Sequence, residues 1–137
     1  MKTFILSACL LSCAIAMNAQ DATPPAVKES FTKLFPGTKA KWEKENKDFE
    51  ANFKKDGKEM SAVFAADGTL KETETSISLA ELPAVAKEYV AKQYKNATIK
   101  EAAKITKADG TVNYEAEVNH KDVIFDAEGK FIKEAKD

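Results

Sequence analysis

The sequence predicts an α+β fold in two layers: a helix followed by a four-stranded antiparallel meander, with that unit written twice. Three observations carry this reading. The apolar spacing changes from a helical period to strict alternation, and it does so twice along the chain. Pairs such as Asp-Gly punctuate the alternating stretches at hairpin spacing. Finally, "FEANFKKDGKEMSAVFAADGTLKETE", residues 49–74, returns as "YEAEVNHKDVIFDAEGKFIKEA", residues 114–135. Both stretches open aromatic-Glu-Ala, reach an apolar run ending in Phe, and pass through an acidic residue and a glycine.

The first helix is predicted in "PPAVKESFTKLFP", residues 24–36, where Val27, Phe31 and Leu34 fall at i, i+4 and i+7. Pro24 and Pro25 suit a first turn, whose N–H groups have no intrahelical acceptor. Thr23 stands where a cap is wanted, and Pro36-Gly37 stop the helix. The second helix lies in "LPAVAKEYVAKQYKNA", with Val85, Ala86, Tyr89 and Val90 as its stripe and Asn96 as its terminator. Ser78 is placed to cap a short leading turn in "SLAEL".

After each helix the period becomes two. Ala40, Trp42 and Lys44 alternate with Lys41, Glu43 and Glu45, and Phe49, Ala51 and Phe53 alternate with Glu50, Asn52 and Lys54. Met60, Ala62 and Phe64 follow, then a more polar strand from Thr69 to Ser76. The later strands are predicted at Ala97–Thr106, Val112–Val118, Asp122–Asp126 and Lys130–Glu134. Asp56-Gly57, Asp67-Gly68, Asp109-Gly110, Asn119-His120 and Glu128-Gly129 serve as turns, the Asp-Gly pairs being expected to hold both residues at positive φ.

One alternate set is apolar and the other is Lys, Glu, Asn and Thr, as in a sheet buried on one face only. A buried aromatic contributes on the order of 2–3 kcal/mol, too little from one copy to offset the ordering of its residues. The two repeats, about 24–77 and 78–137, are therefore expected to share one core inside a single domain of residues 20–137.

The opening "MKTFILSACLLSCAIAMNAQDATPP" has one Lys, an uncharged apolar run from Phe4 to Met17 and small residues before Asp21. That layout is a signal peptide over residues 1–19, cleaved after Ala19, and the run is shorter than a membrane-spanning helix. Cys9 and Cys13 each end a lipoprotein-like box, but the apolar stretch before each is short and continues beyond Cys13. Cleavage after Ala19 leaves no cysteine, and so no disulfide, thiol nucleophile or thiolate metal site. The expected address is periplasmic or secreted.

Charge is abundant but balanced, 21 basic against 22 acidic residues, so no overall field selects nucleic acid or an anionic membrane. Every basic residue is Lys, and no Arg fork is present for phosphate. His120 is the sole histidine and sits in a predicted turn; Ser30, Ser61, Ser76 and Ser78 lack a nucleophile-elbow context. Glu43/Glu45, Glu72/Glu74 and Glu115/Glu117 are carboxylate pairs, but Lys neighbours on the same faces suit cross-strand pairing instead. Neither "FAADGTLKETE" nor "KADGTVNYEAE" supplies the ligands of a calcium loop. No catalytic residue, metal or cofactor is expected.

Phe35-Pro36, Trp42-Glu43, Phe49-Glu50-Ala51, Asp67-Gly68, Glu81-Leu82-Pro83, Tyr114-Glu115 and Phe125-Asp126 through Gly129 follow one another in an order that resembles the PepSY-like, beta-lactamase-inhibitor-like secreted proteins of Bacteroides-type bacteria. The resemblance implies a tandem helix-plus-four-strand architecture like that of the beta-lactamase inhibitor protein. It also implies a periplasmic or surface location and a non-catalytic role in binding a protein partner. The residues assign that role to the polar sheet face: Glu43, Glu50, Asn52, Lys54, Glu115 and Glu117 lie there, while Trp42 alternates toward the helix as a core residue and is an anchor only if it stands on an open part of the sheet. The alternative is a small-ligand carrier or enzyme with a cavity between helix and sheet lined by Trp42, Phe53 and Tyr114.

Overall fold

The computed structural model describes residues 22–136, so the predicted signal peptide lies outside the described residues. The elements are helix α1 (Pro25–Leu34), strands β1 (Lys41–Glu45), β2 (Asp48–Lys55), β3 (Lys58–Phe64) and β4 (Leu70–Ile77), and a 3₁₀ turn (Leu79–Glu81). Helix α2 (Ala84–Gln93) follows, then β5 (Glu101–Lys107), β6 (Val112–Glu117), β7 (Lys121–Phe125) and β8 (Phe131–Lys136). The helix-then-four-strands order thus occurs twice. All eight strands form one antiparallel sheet in chain order, and β4 pairs with β5 across the α2 connection. No helix among the described residues is long and apolar enough to cross a membrane.

The helix ends differ in detail from the sequence expectation. Pro24, not Thr23, is the N-cap of α1, and Thr23 is itself buried. Leu34 is 48% exposed, and Phe35 takes the buried place. The reason is the end of α1: Phe35 leaves helical geometry at φ −128° while its N–H still donates to the Phe31 carbonyl. Its ring then turns onto Phe31 and Phe53, with centroids at 5.2 and 4.7 Å. In α2, Ala86 and Val90 are buried and Val85 is exposed. Ser78 does open the 3₁₀ turn, its backbone N–H and hydroxyl both donating to the Glu81 carboxylate.

The turns fall into two kinds. Asp56-Gly57 and Asn119-His120 hold both residues at positive φ, as tight two-residue hairpins require. At Asp67-Gly68, Asp109-Gly110 and Glu128-Gly129 only the glycine does. There an Asp carboxylate accepts from the backbone two residues on, at Thr69, Thr111 and, from Asp126, Glu128. Strand β5 begins at Glu101 rather than Ala97.

Two glycines seat the helices. A Cβ on Gly68 would come within 2.7 Å of the Ala26 carbonyl oxygen in α1, and one on Gly129 within 2.7 Å of Pro83 Cβ at the start of α2. Just before each glycine the register shifts, between Val63 and Phe64 and between Ile124 and Phe125. These bulges leave Lys71 of β4 and Ile132 of β8 outside the pairing ladder.

Both helices lie on one face, over two separate clusters. Val27, Phe31, Phe35, Trp42, Phe49, Ala51, Phe53, Ala62 and Phe64 pack under α1. The other cluster has Leu82, Ala86, Val90, Ala102, Ala116, Val118, Val123 and Phe125 under α2. The expectation of one shared core is corrected here. Where β4 meets β5 the helix-side pairs are Thr73 with Thr106, Thr75 with Lys104 and Ile77 with Ala102, and the first two are too polar to join the clusters. The halves share a sheet, and only Ile77, at the end of β4, packs against the second cluster.

Candidate functional site

The helices cover one face of the sheet, and the candidate site is on the other. Alternation along each strand carries Lys41, Glu43 and Glu45 of β1, Glu50, Asn52 and Lys54 of β2, and Ser61 and Val63 of β3 to this helix-free face. Glu72 and Glu74 of β4, Ala103, Ile105 and Lys107 of β5, Asn113, Glu115 and Glu117 of β6, and Asp122 and Ile124 of β7 continue it.

A cleft of about 690 Å³ opens on this face. One side is acidic, with Glu45, Asp48, Glu72 and Glu74. The other mixes Ile105, Ile124 and Ile132 with polar groups, Lys107, Glu115, Asp126 and Lys133 among them, and Val63 lies on the acidic side. The two bulge residues both line it: Lys71, whose Nζ sits 2.5 Å from Asp48 Oδ2, and Ile132. A bulge re-aims one side chain without breaking the strand, and each half uses one to furnish the cleft.

The carboxylates are held under tension. Glu50 is 2% exposed, accepts from the Ser61 hydroxyl, and its Oε1 has no hydrogen-bond partner. Burial, with the Glu45 charge nearby, pushes its carboxyl up to about 7. Glu74, opposite Ser61 in the register, is also buried; desolvation first and the Glu50 charge second raise it to about 8. Groups this close take up protons as a pair. No cluster of His, Cys, Asp or Glu among the described residues is arranged to hold a metal ion.

The residues expected to bind a partner are thus divided. Glu43, Glu50, Asn52, Lys54, Glu115 and Glu117 share the helix-free face. Glu43 and Lys54 are exposed, and each forms a surface ion pair, with Lys41 at 3.5 Å and Glu59 at 3.4 Å. Glu117 is buried against Lys100 Nζ at 3.0 Å. Trp42 is on the opposite face, 8% exposed, edge-on to Phe31 at 5.4 Å, and is a core residue. Trp42 and Phe53 belong to one cluster and Tyr114 packs against the other, so the three do not line one cavity. His120 is exposed in its turn. Sequence reasoning did not single out Ile105 or the bulge residues, and it read Glu72/Glu74 as a lysine-paired surface where Glu74 is in fact buried without an ion pair among the described residues. Lys71 and Ile132 break the alternation of their strands, which was the one available signal.

This architecture, a single eight-stranded antiparallel sheet with two helices on one side, defines the class, and comparison with known proteins agrees. The chain belongs to the PepSY_like family, described as "Putative beta-lactamase-inhibitor-like, PepSY-like", which matches residues 13–71 and 53–133. Among solved structures it is similar to a "putative periplasmic" protein of Bacteroides eggerthii, 16% identical with a TM-score of 0.73, over 82% of this chain and 87% of that one. A DUF2874 family protein of Bacteroides uniformis is likewise similar, 16% identical with a TM-score of 0.72, over 81% and 87%. So is a BLIP-like protein of Bacteroides fragilis, 22% identical with a TM-score of 0.64, over 80% and 82%. At these identities the likeness is one of fold. No curated protein matches the chain.

Proposed function

We propose that this chain is a non-enzymatic binding module, exported to the periplasm after cleavage at Ala19, that engages a protein or peptide through the helix-free face of its sheet. The observation that carries the proposal is the uncovered cleft of about 690 Å³, walled by carboxylates and aliphatic side chains together. Such a mixture suits a polypeptide, which offers both kinds of group. The family description adds an inhibitor-like role as the form such binding takes, and the "putative periplasmic" neighbour supports the address. The paired bulges, paired helix-seating glycines and repeated element order support a duplicated ancestral unit, divided near Ser78.

The experiment is photo-crosslinking in the native periplasm from a probe at Val63 or Lys133, which line the cleft, against a probe at Leu34, exposed at the end of α1. The expected result is a discrete adduct from the cleft positions and none from Leu34. Equal or absent labelling from all three positions contradicts the proposal.

A further inference from the structure

On the acidic side of the cleft, the buried Glu50 and Glu74 form no ion pair with a lysine among the described residues. Glu50 Oε1 is buried without a partner, and the charges bearing most on Glu50 and Glu74 are other carboxylates: Glu43 and Glu45 from β1, Glu72 from β4 and Asp122 from β7. Lysines are near but placed otherwise. Lys71 pairs with Asp48, Lys100 pairs with Glu117, and Lys107 stands opposite Glu72, two residues along β5 from Ile105, the register partner of Glu74. Ile105 pairs with Glu74 and, with Ile124 and Ile132, lines the rest of the cleft among Glu115 and Asp126; Ile105 and Ile124 are only 8% and 7% exposed.

We infer that the cleft receives a single basic side chain of a partner polypeptide, its methylenes lying on Ile105 and Ile124 and its cationic end meeting Glu72 and Glu74, with Glu50 behind them. The inference rests on the reading of this face as a binding surface and names what it recognises. A lysine or arginine is apolar along its stem and charged at its tip, which matches a cleft where isoleucines lie beside an excess of carboxylates. A bare metal ion gains nothing from isoleucines. A polyamine brings several charges, and Lys71, Lys107 and Lys133 at the cleft repel the surplus. Binding one cation gives the buried carboxylates the partner the fold withholds.

Ionisation sets the pH response. The acid groups facing the site are those named from β1, β4 and β7, with Asp48 of β2, Glu115 and Glu117 of β6 and Asp126 after β7 beyond them; Lys71 of β4, Lys107 of β5 and Lys133 of β8 complete the charged set. With its carboxyl at about 7, Glu50 is only about one-tenth ionised at pH 6, while a lysine ammonium keeps its charge to pH 9. Glu74, at about 8, ionises later still, so affinity for a basic side chain rises at least about tenfold between pH 6 and pH 9.

Methyl NMR on the intact protein tests this with four probes: a capped Ala-Ala-Lys-Ala-Ala peptide, its norleucine counterpart, cadaverine and calcium chloride. The expected result is displacement of the Val63, Ile105 and Ile124 methyl signals by the lysine peptide alone, at least about tenfold tighter at pH 9 than at pH 6. The Glu50→Gln/Glu74→Gln protein, checked for native methyl dispersion, loses that binding and its pH dependence. Binding of the norleucine peptide as tightly as the lysine one, tighter binding of cadaverine or calcium, or unchanged binding by the double variant overturns the inference. The crosslinking experiment keeps the two claims apart: a partner captured equally by the wild-type and double-variant proteins overturns basic-side-chain recognition and leaves the face a binding surface.

Discussion

Replacing Glu50 by Gln is expected to change how stability depends on pH more than stability itself. In the folded protein burial holds the Glu50 carboxyl at about 7, against 4.5 for an unperturbed glutamate. Below pH 4.5 the folded and unfolded chains both carry the proton, and nothing is lost. As pH rises from 4.5 through 7 the unfolded chain ionises while the folded one resists, so stability falls, and above 7 the full penalty is present. At 1.36 kcal/mol per pH unit the displacement corresponds to roughly 3 kcal/mol. The amide that Glu50→Gln introduces carries a roughly constant cost of about 1–3 kcal/mol for a buried donor without an acceptor, and this cancels when one protein is compared at two pH values. Urea denaturation at pH 5 and pH 9, followed by the fluorescence of the single buried Trp42, is the assay. The wild type is expected to lose roughly 3 kcal/mol more than Glu50→Gln between those pH values. An equal loss in both proteins refutes the reasoning.

Four other outcomes follow from the packing. Gly68→Ala and Gly129→Ala each force a Cβ against a helix at positive φ and are expected to cost about 2–4 kcal/mol in chemical denaturation. Gly57→Ala, at positive φ but in open space, should cost only about 1 kcal/mol. Phe64→Ala and Phe125→Ala each empty a fully buried position and should cost about 3–5 kcal/mol, with near-additive losses because they lie in different clusters. Fragments 22–77 and 78–136 should regain sheet circular dichroism when mixed and show little separately, since division strips β4 and β5 of each other and removes Ile77 from its cluster.

The architecture was legible because its signals are local. Val27 and Phe31, then Phe49, Ala51 and Phe53, specify a helix stripe and a strand face by spacing alone, and the structure uses both as read. Loss of alternation at Lys71 and Ile132 was also present in the letters, but a bulge is set by how Phe64 and Phe125 fit beneath their helices, which is a tertiary matter. The same holds for Trp42. Its alternation with Glu43 placed it on the helix side, and the number of aromatic neighbours around it decided for core. The depth of Glu50 and Glu74 was not legible. Alternation says which face a side chain takes, whereas burial on a face without helices depends on how neighbouring rows of side chains close over it, and no spacing rule carries that. The separation of the clusters is visible only in retrospect, in Thr73, Thr75, Lys104 and Thr106 at the seam.

The central claim is that the helix-free face keeps buried carboxylates without a compensating cation. Carbon-detected NMR of the glutamate side-chain carboxyls, titrated from pH 3 to pH 10 in the intact protein without added ligand, addresses it directly. The account expects the Glu50 and Glu74 signals to move together near pH 7–8 while exposed Glu29, paired with Lys33, titrates below 4.5. Midpoints for Glu50 and Glu74 at or below 4.5 would mean that these acids are already satisfied, contradicting the account.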